Sequence, residues 1–140
     1  MHQDEAIADG LQRLARWAIR VVPKQMSMTA LSTLGTLAAG PLRVSDLAER
    51  EGTAQPGMTA LVNRLAAAGY VQRAADPHDG RATLVRLTPQ GERVLDERRS
   101  ARISALRAEI ETLPPEHRRA LADALPAIEF LTAGLDKPHD

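Results

Sequence analysis

The apolar positions of this chain recur at helical spacing along most of its length and change to strand-like runs in one short window. Ile7, Leu11, Leu14, Ala18 and Val21 form a narrow, heptad-like stripe. This predicts a first helix over about Asp4 to Val22, ended by Pro23. Leu31, Leu34, Leu37 and Ala38 predict a second over about Met28 to Ala39, capped by Ser27 and stopped by Gly40-Pro41. A short third helix, about Asp46 to Glu51, follows a Ser45 cap and closes at Gly52. A fourth runs from about Gln55 to Ala68, with Pro56 in its first turn and Gly69 as its stop. Its apolar positions Met58, Leu61, Val62 and Leu65 share one face and are assigned to the core.

The period then changes. Tyr70 to Ala74 and Thr83 to Leu87 are strand-like, and the tip between them holds Asp76, Pro77, Asp79, Gly80 and Arg81. Pro and Asp-Gly are turn chemistry, so this unit is a β-hairpin. Thr88 and Pro89 then start a fifth helix, which extends to about Glu111. Leu113-Pro114-Pro115 breaks it. The sixth helix, about Glu116 to Ala133, carries Leu121, Leu125, Ile128 and Leu131 on one side and a bend is expected at Pro126. The residues from Gly134 to Asp140 are expected to fray.

The chain has 140 residues, of which 44% are hydrophobic. That suits one domain, with a core of Leu, Ala, Val and Ile, since only Trp17, Tyr70 and Phe130 are aromatic. So few aromatics also argue against a base-stacking platform for single strands. With no Cys, the chain has no disulfide framework, no thiolate metal site and no thiol switch. The acidic start lacks an apolar segment, so no signal peptide is expected and the expected compartment is the cytoplasm. Gln25 to Leu42 is uncharged but too rich in Ser, Thr and Gly to cross a membrane, and no membrane partner is expected. The four His residues (2, 78, 117 and 139) are scattered. No catalytic set, metal-ligand spacing or phosphate-cradling glycine loop occurs, so neither an enzyme nor a cofactor or metal site is expected.

Helix, glycine turn and helix, followed directly by a hairpin, is the pattern of a winged helix-turn-helix. Ala48 is small where the third and fourth helices cross, and Gly52 supplies the turn. Gln55, Thr59 and Asn63 recur every four residues opposite the apolar face. Gln and Asn suit adenine edges in a major groove, and Thr suits a phosphate or a thymine methyl. Arg64, on the same helix, is counted with them. On the hairpin, Arg81 is placed to enter a minor groove, with Asp79 pairing with or orienting it. Arg73 and Arg86 on the strands are candidates for phosphate contacts.

Charge tempers this reading. The net charge is zero, and residues 43 to 93 hold seven Arg against six acids. DNA binding must then come from well-placed Arg side chains and two copies acting together, not from a basic field. The competing reading is a winged-helix protein-interaction module without DNA binding. Near-zero charge and Ala60 favour it, while Arg81 and the Gln55, Thr59, Asn63 face oppose it.

Three runs carry a family likeness: Gln-Pro-Gly-Met-Thr at 55 to 59, Asp76-Pro-His-Asp79-Gly-Arg81, and Leu87-Thr88-Pro-Gln-Gly91. From Met26 to Gly91 the sequence resembles the MarR family of bacterial transcriptional regulators. The resemblance implies a mainly α fold with a small β-hairpin, in which a winged core at about 27–88 is flanked by dimerisation helices at about 4–22 and 89–133. It implies a triangular homodimer that binds double-stranded DNA as a repressor, on a pseudo-palindromic operator. Carried over by position, Gln55, Pro56, Thr59 and Asn63 face the major groove and Arg81 the minor groove. Small aromatic or anionic effectors often bind such proteins. Trp17, Arg20, Met28 and Leu31 are the candidates here, Trp17 and Arg20 being suited to an aromatic carboxylate. His78, Ala54 and Ala60 depart from the family pattern, and Thr53 is the alternative cap for the fourth helix.

Overall fold

The computed structural model describes residues 2–22 and 26–135. Six helices and three strands occur among them: α1 (Gln3–Val21), α2 (Met28–Leu37), β1 (Leu42–Arg43), α3 (Val44–Arg50), α4 (Gln55–Ala67), β2 (Val71–Ala75), β3 (Thr83–Leu87), α5 (Pro89–Glu111) and α6 (Pro115–Leu135). The chain divides into two compact units, Met1–Arg102 and Ile103–Asp140. The expected Pro23 stop and the last residues of the tail lie outside the described residues. No helix among the described residues is long and apolar enough to cross a membrane.

The first unit holds the core. Ala30, Leu34 and Leu37 of α2, Leu47 and Ala48 of α3, and Met58, Leu61, Val62 and Leu65 of α4 pack with Val71 and Val85 of the sheet. Leu34 and Leu37, and Met58, Leu61, Val62 and Leu65, are the positions that the helical period selects, whereas Ala30 and Leu47 were not among the expected core residues. Thr33 is also fully buried, and its hydroxyl is satisfied within its own helix by donating to Thr29 O at 2.8 Å.

The strands form an antiparallel sheet in the order β1-β3-β2. Val71 pairs with Leu87 and Ala75 with Thr83, which fixes the hairpin register. The strand β1 was not expected. It is two residues long, too short to show alternation, and it pairs Leu42 with Val85 and Arg43 with Leu84. It also corrects the third helix. Because the strand ends at Arg43, the helix begins at Val44, and Ser45 lies inside its first turn instead of capping it. A second correction concerns Ala38, which is exposed just past the end of α2 and not part of its buried spine.

The start of α5 is tied to the sheet by Thr88. Its hydroxyl donates to Gly69 O at 2.6 Å and accepts from Gly91 N at 3.1 Å, the N-cap geometry that the sequence predicts. Gly91 is buried here because nothing larger fits. A Cβ at this position would collide with the Tyr70 carbonyl oxygen and lie 2.6 Å from Leu87 Cδ1.

In the first unit, α1 has no buried residue, and Ile7, Leu11, Leu14 and Ile19 are exposed. In the second, α6 also has none, although Leu121, Leu125, Ile128, Leu131 and Leu135 recur along it. The helix continues through Pro126, and it begins with Arg118 N and His117 N both bonded to Pro114 O.

Candidate nucleic-acid interface

The turn between α3 and α4 places the candidate reading helix. Gly52 has φ 63°, the left-handed conformation that glycine adopts without strain, and the next amide, Thr53 N, returns to Ala48 O at 2.9 Å. Ala54 stands at the N-cap of α4 without a side-chain acceptor, and Thr53 does not cap in its place, because its hydroxyl is directed back toward Glu51 O. A side chain that sequence reading did not single out fixes this turn instead. Both oxygens of Glu51 accept hydroxyl hydrogen bonds from α2: Ser32 Oγ at 2.6 Å and Thr36 Oγ1 at 2.5 Å. Ser32 and Thr36 are four residues apart, so both stand on one face of α2 and reach one carboxylate.

At about 100° per residue, the outward line of α4 follows from its buried residues. Directly opposite Met58, Leu61, Val62 and Leu65 stand Pro56, Ala60, Asn63 and Ala67, all exposed. Gln55 is exposed at the N-terminal end of one shoulder and Arg64 on the other, while Thr59 is half-buried. Asn63 is therefore the polar side chain on the central line of this face. Gln55 and Thr59 flank it, and do not form one outward row with it.

The wing is residues 76–82. Asp76 N donates to Ala82 O and Ala82 N donates to Asp79 O, each at 3.0 Å. Asp76 is the buried member: its Oδ1 accepts from His78 N at 2.8 Å and its Oδ2 takes Nη2 and Nε of Arg43 at 3.0 and 3.3 Å. The His78 amide, and then the Arg43 guanidinium, hold its carboxyl below the ordinary aspartate range. Its hydrogen bond to Asp76 correspondingly raises the Arg43 pKa. Asp79 orients the tip through the backbone, with Oδ1 accepting from Arg81 N at 3.1 Å. Arg81 itself is exposed. Arg43 escaped the sequence reading, because its link to Asp76 spans 33 residues and leaves no local pattern.

Side chains alternate across a sheet, which separates the two strand arginines. Arg73 pairs with Val85 and shares its face, the one that carries the core, whereas Arg86 pairs with Gln72 on the other face. Arg86 lines a cleft of about 510 Å³ with Leu37, Pro41, Leu95 and the acids Glu92 and Asp96. The two arginines do not converge on one surface.

The effector candidates do not converge either. A cleft of about 160 Å³ in the first unit is lined by Leu31 with Val22, Met26, Val94, Glu97 and Arg98. Of the four candidate residues only Leu31 takes part. Trp17 is half-buried, Met28 is exposed, and the Arg20 guanidinium donates to Arg16 O. Among the described residues no cluster of His, Cys, Asp or Glu could hold a metal ion.

A helix pair with a glycine turn, a second helix with one exposed face and a three-stranded sheet ending in a charged wing define a winged helix-turn-helix protein. The comparisons place it more closely. A model described as MarR family matches residues 24–82. An uncharacterized HTH-type transcriptional regulator of Mycobacterium leprae is 35% identical over 116 residues, covering 81% of each chain. One from Bacillus subtilis is 30% identical over 117 residues, 83% of this chain and 71% of that one. Among solved structures, a transcriptional regulator of Thermotoga maritima superposes with a TM-score of 0.81 at 23% identity, covering 96% of this chain and 99% of that one. The protein belongs to the MarR family. It is a transcriptional regulator with a DNA-binding helix-turn-helix, in a family of non-enzymatic DNA-binding proteins.

Proposed function

We propose that the protein is a homodimeric repressor acting in the cytoplasm on a short pseudo-palindromic operator. The observation that carries this reading is the pairing of an outward α4 face with two helices that bury nothing in a single chain. α1 and α6 expose Leu and Ile at regular spacing, and a second copy of the chain would cover them. Two copies about a two-fold axis would present two α4 helices roughly 34 Å apart, one turn of DNA. On this reading both units of the chain act as one functional domain.

In each half-site Asn63, Gln55 and Thr59 read bases, with Pro56 against the groove and Arg64 at its edge. Arg81 enters the minor groove, and Arg73 takes a phosphate. Arg86, among acids on the other face of the sheet, is left out of the contact set. Repression would follow where the operator overlaps a promoter, because the bound protein would exclude polymerase. An effector, if one controls binding, would enter the cleft beside Leu31 and Arg98. At about 160 Å³ this admits only a small molecule.

Sequencing DNA fragments selected by the purified protein tests the proposal. The expected result is a two-fold symmetric motif that blurs at defined bases in Asn63→Ala and Gln55→Ala. Failure to enrich any fragment would favour the protein-interaction module, for which Ala60 and Ala67 on the outward line of α4 speak.

A further inference from the structure

The register of the sheet puts Arg43 opposite Leu84, and Leu84 opposite Ala74. These residues share the face that does not carry the core. From β1 the Arg43 side chain spans β3 and places two donors on one oxygen of Asp76, at the end of β2. The Asp76 side chain is 9% exposed and that of Arg43 44%. The same guanidinium lies 3.9 Å from Asp79 Oδ2.

The wing's own hydrogen bonds converge on these two acids. Asp76 takes the His78 amide and Asp79 the Arg81 amide. Arg43 thus connects the sheet edge to the backbone that carries Arg81.

We propose that Arg43 is a positioning residue for DNA binding. It holds the wing through Asp76 and makes no DNA contact of its own. This inference rests on the reading of Arg81 as the minor-groove residue.

The test is a double-mutant cycle with full-length protein and a selected operator, read by fluorescence anisotropy. Arg81→Ala is expected to weaken binding by about tenfold or more. Arg43→Gln should weaken it about tenfold in the wild-type background and less than about twofold in the Arg81→Ala background. Arg43→Lys, which keeps the charge but not the two-donor geometry, should fall between. Amide exchange at His78 should accelerate in Arg43→Gln and stay unchanged in Arg81→Ala, with Arg81→Ala melting as wild type and Arg43→Gln still fully folded at the temperature of the binding assay.

If Arg81→Ala weakens binding while Arg43→Gln does not, the inference fails alone. It also fails alone if the two losses simply add, since Arg43 would then contact DNA directly. If Arg81→Ala binds as wild type, the minor-groove reading fails and takes the inference with it. Unchanged His78 exchange in Arg43→Gln overturns the clamp whatever the affinities.

Discussion

The winged core and the helices α1 and α6 use the same residue types to opposite ends. Leu34, Leu37, Leu47, Met58, Val62 and Val85 are at most 2% exposed. On α6, Leu125 is 53% exposed, and neither α1 nor α6 contains a buried residue. The difference lies in spacing and surroundings, not in composition. In the core, three short helices and a sheet bring apolar faces together from several directions. On α1 and α6, a long regular stripe is left facing outward, in the pattern of a surface that awaits another helix. The core buries its apolar faces within one chain, whereas α1 and α6 leave theirs exposed, and on the proposed reading a second copy covers them.

Substitution at one apolar position in each region gives the largest contrast. Leu125→Asp should leave the winged core folded but abolish operator binding, because it would bury an unpaired charge between two copies. Leu34→Ala should instead destabilise the core itself, by about 2–5 kcal/mol. Circular dichroism melts and sedimentation separate the two results. A Leu125→Asp protein that still sediments as a dimer and binds DNA would remove the distinction.

Gly91→Ala tests how tightly the core is joined to α5. The added methyl meets the Tyr70 carbonyl oxygen and the Leu87 side chain, so a loss of about 1–3 kcal/mol is expected in a chemical-denaturation titration. A neutral result would mean that the helix start yields easily.

Glu51→Ala should have a smaller effect, on the order of 1 kcal/mol, by removing the acceptor of Ser32 and Thr36. The Ser32→Ala, Thr36→Ala double variant should match it in the same melt. A much larger loss in Glu51→Ala than in the double variant would show that the carboxylate has another role.

The smallest effect concerns pH. Asp76 has a folded pKa below its unfolded value, so its contribution is present above the ordinary aspartate range and is lost as pH falls through the folded value. The side-chain carboxyl carbon resonance of Asp76 should therefore titrate only below the ordinary aspartate range. A titration midpoint of that carbon within or above the ordinary range would contradict the hydrogen bonding described here.

Much of the core was legible in the sequence, because each part rests on a residue with one dominant physical use. Gly52 has the left-handed turn expected of it, Thr88 caps α5, and Met58, Leu61, Val62 and Leu65 are buried together. What the sequence hid is non-local or very short. The strand β1 has two residues and is defined by its partner, β3. The Arg43–Asp76 and Glu51–Ser32 pairs join residues 33 and 19 positions apart, so no local periodicity marks them. Arg73 and Arg86 looked equivalent until the register put them on opposite faces. The outward line of α4 was likewise blurred by its four-residue repeat, which drifts around the helix from Gln55 to Asn63.

Sedimentation equilibrium of the wild-type chain at micromolar concentration, with and without its selected operator, tests the central claim most directly. The account predicts a dimer in both cases, with one dimer bound per two-fold operator and no tight binding of a single chain to a half-site. A monomer that binds its operator tightly would contradict it.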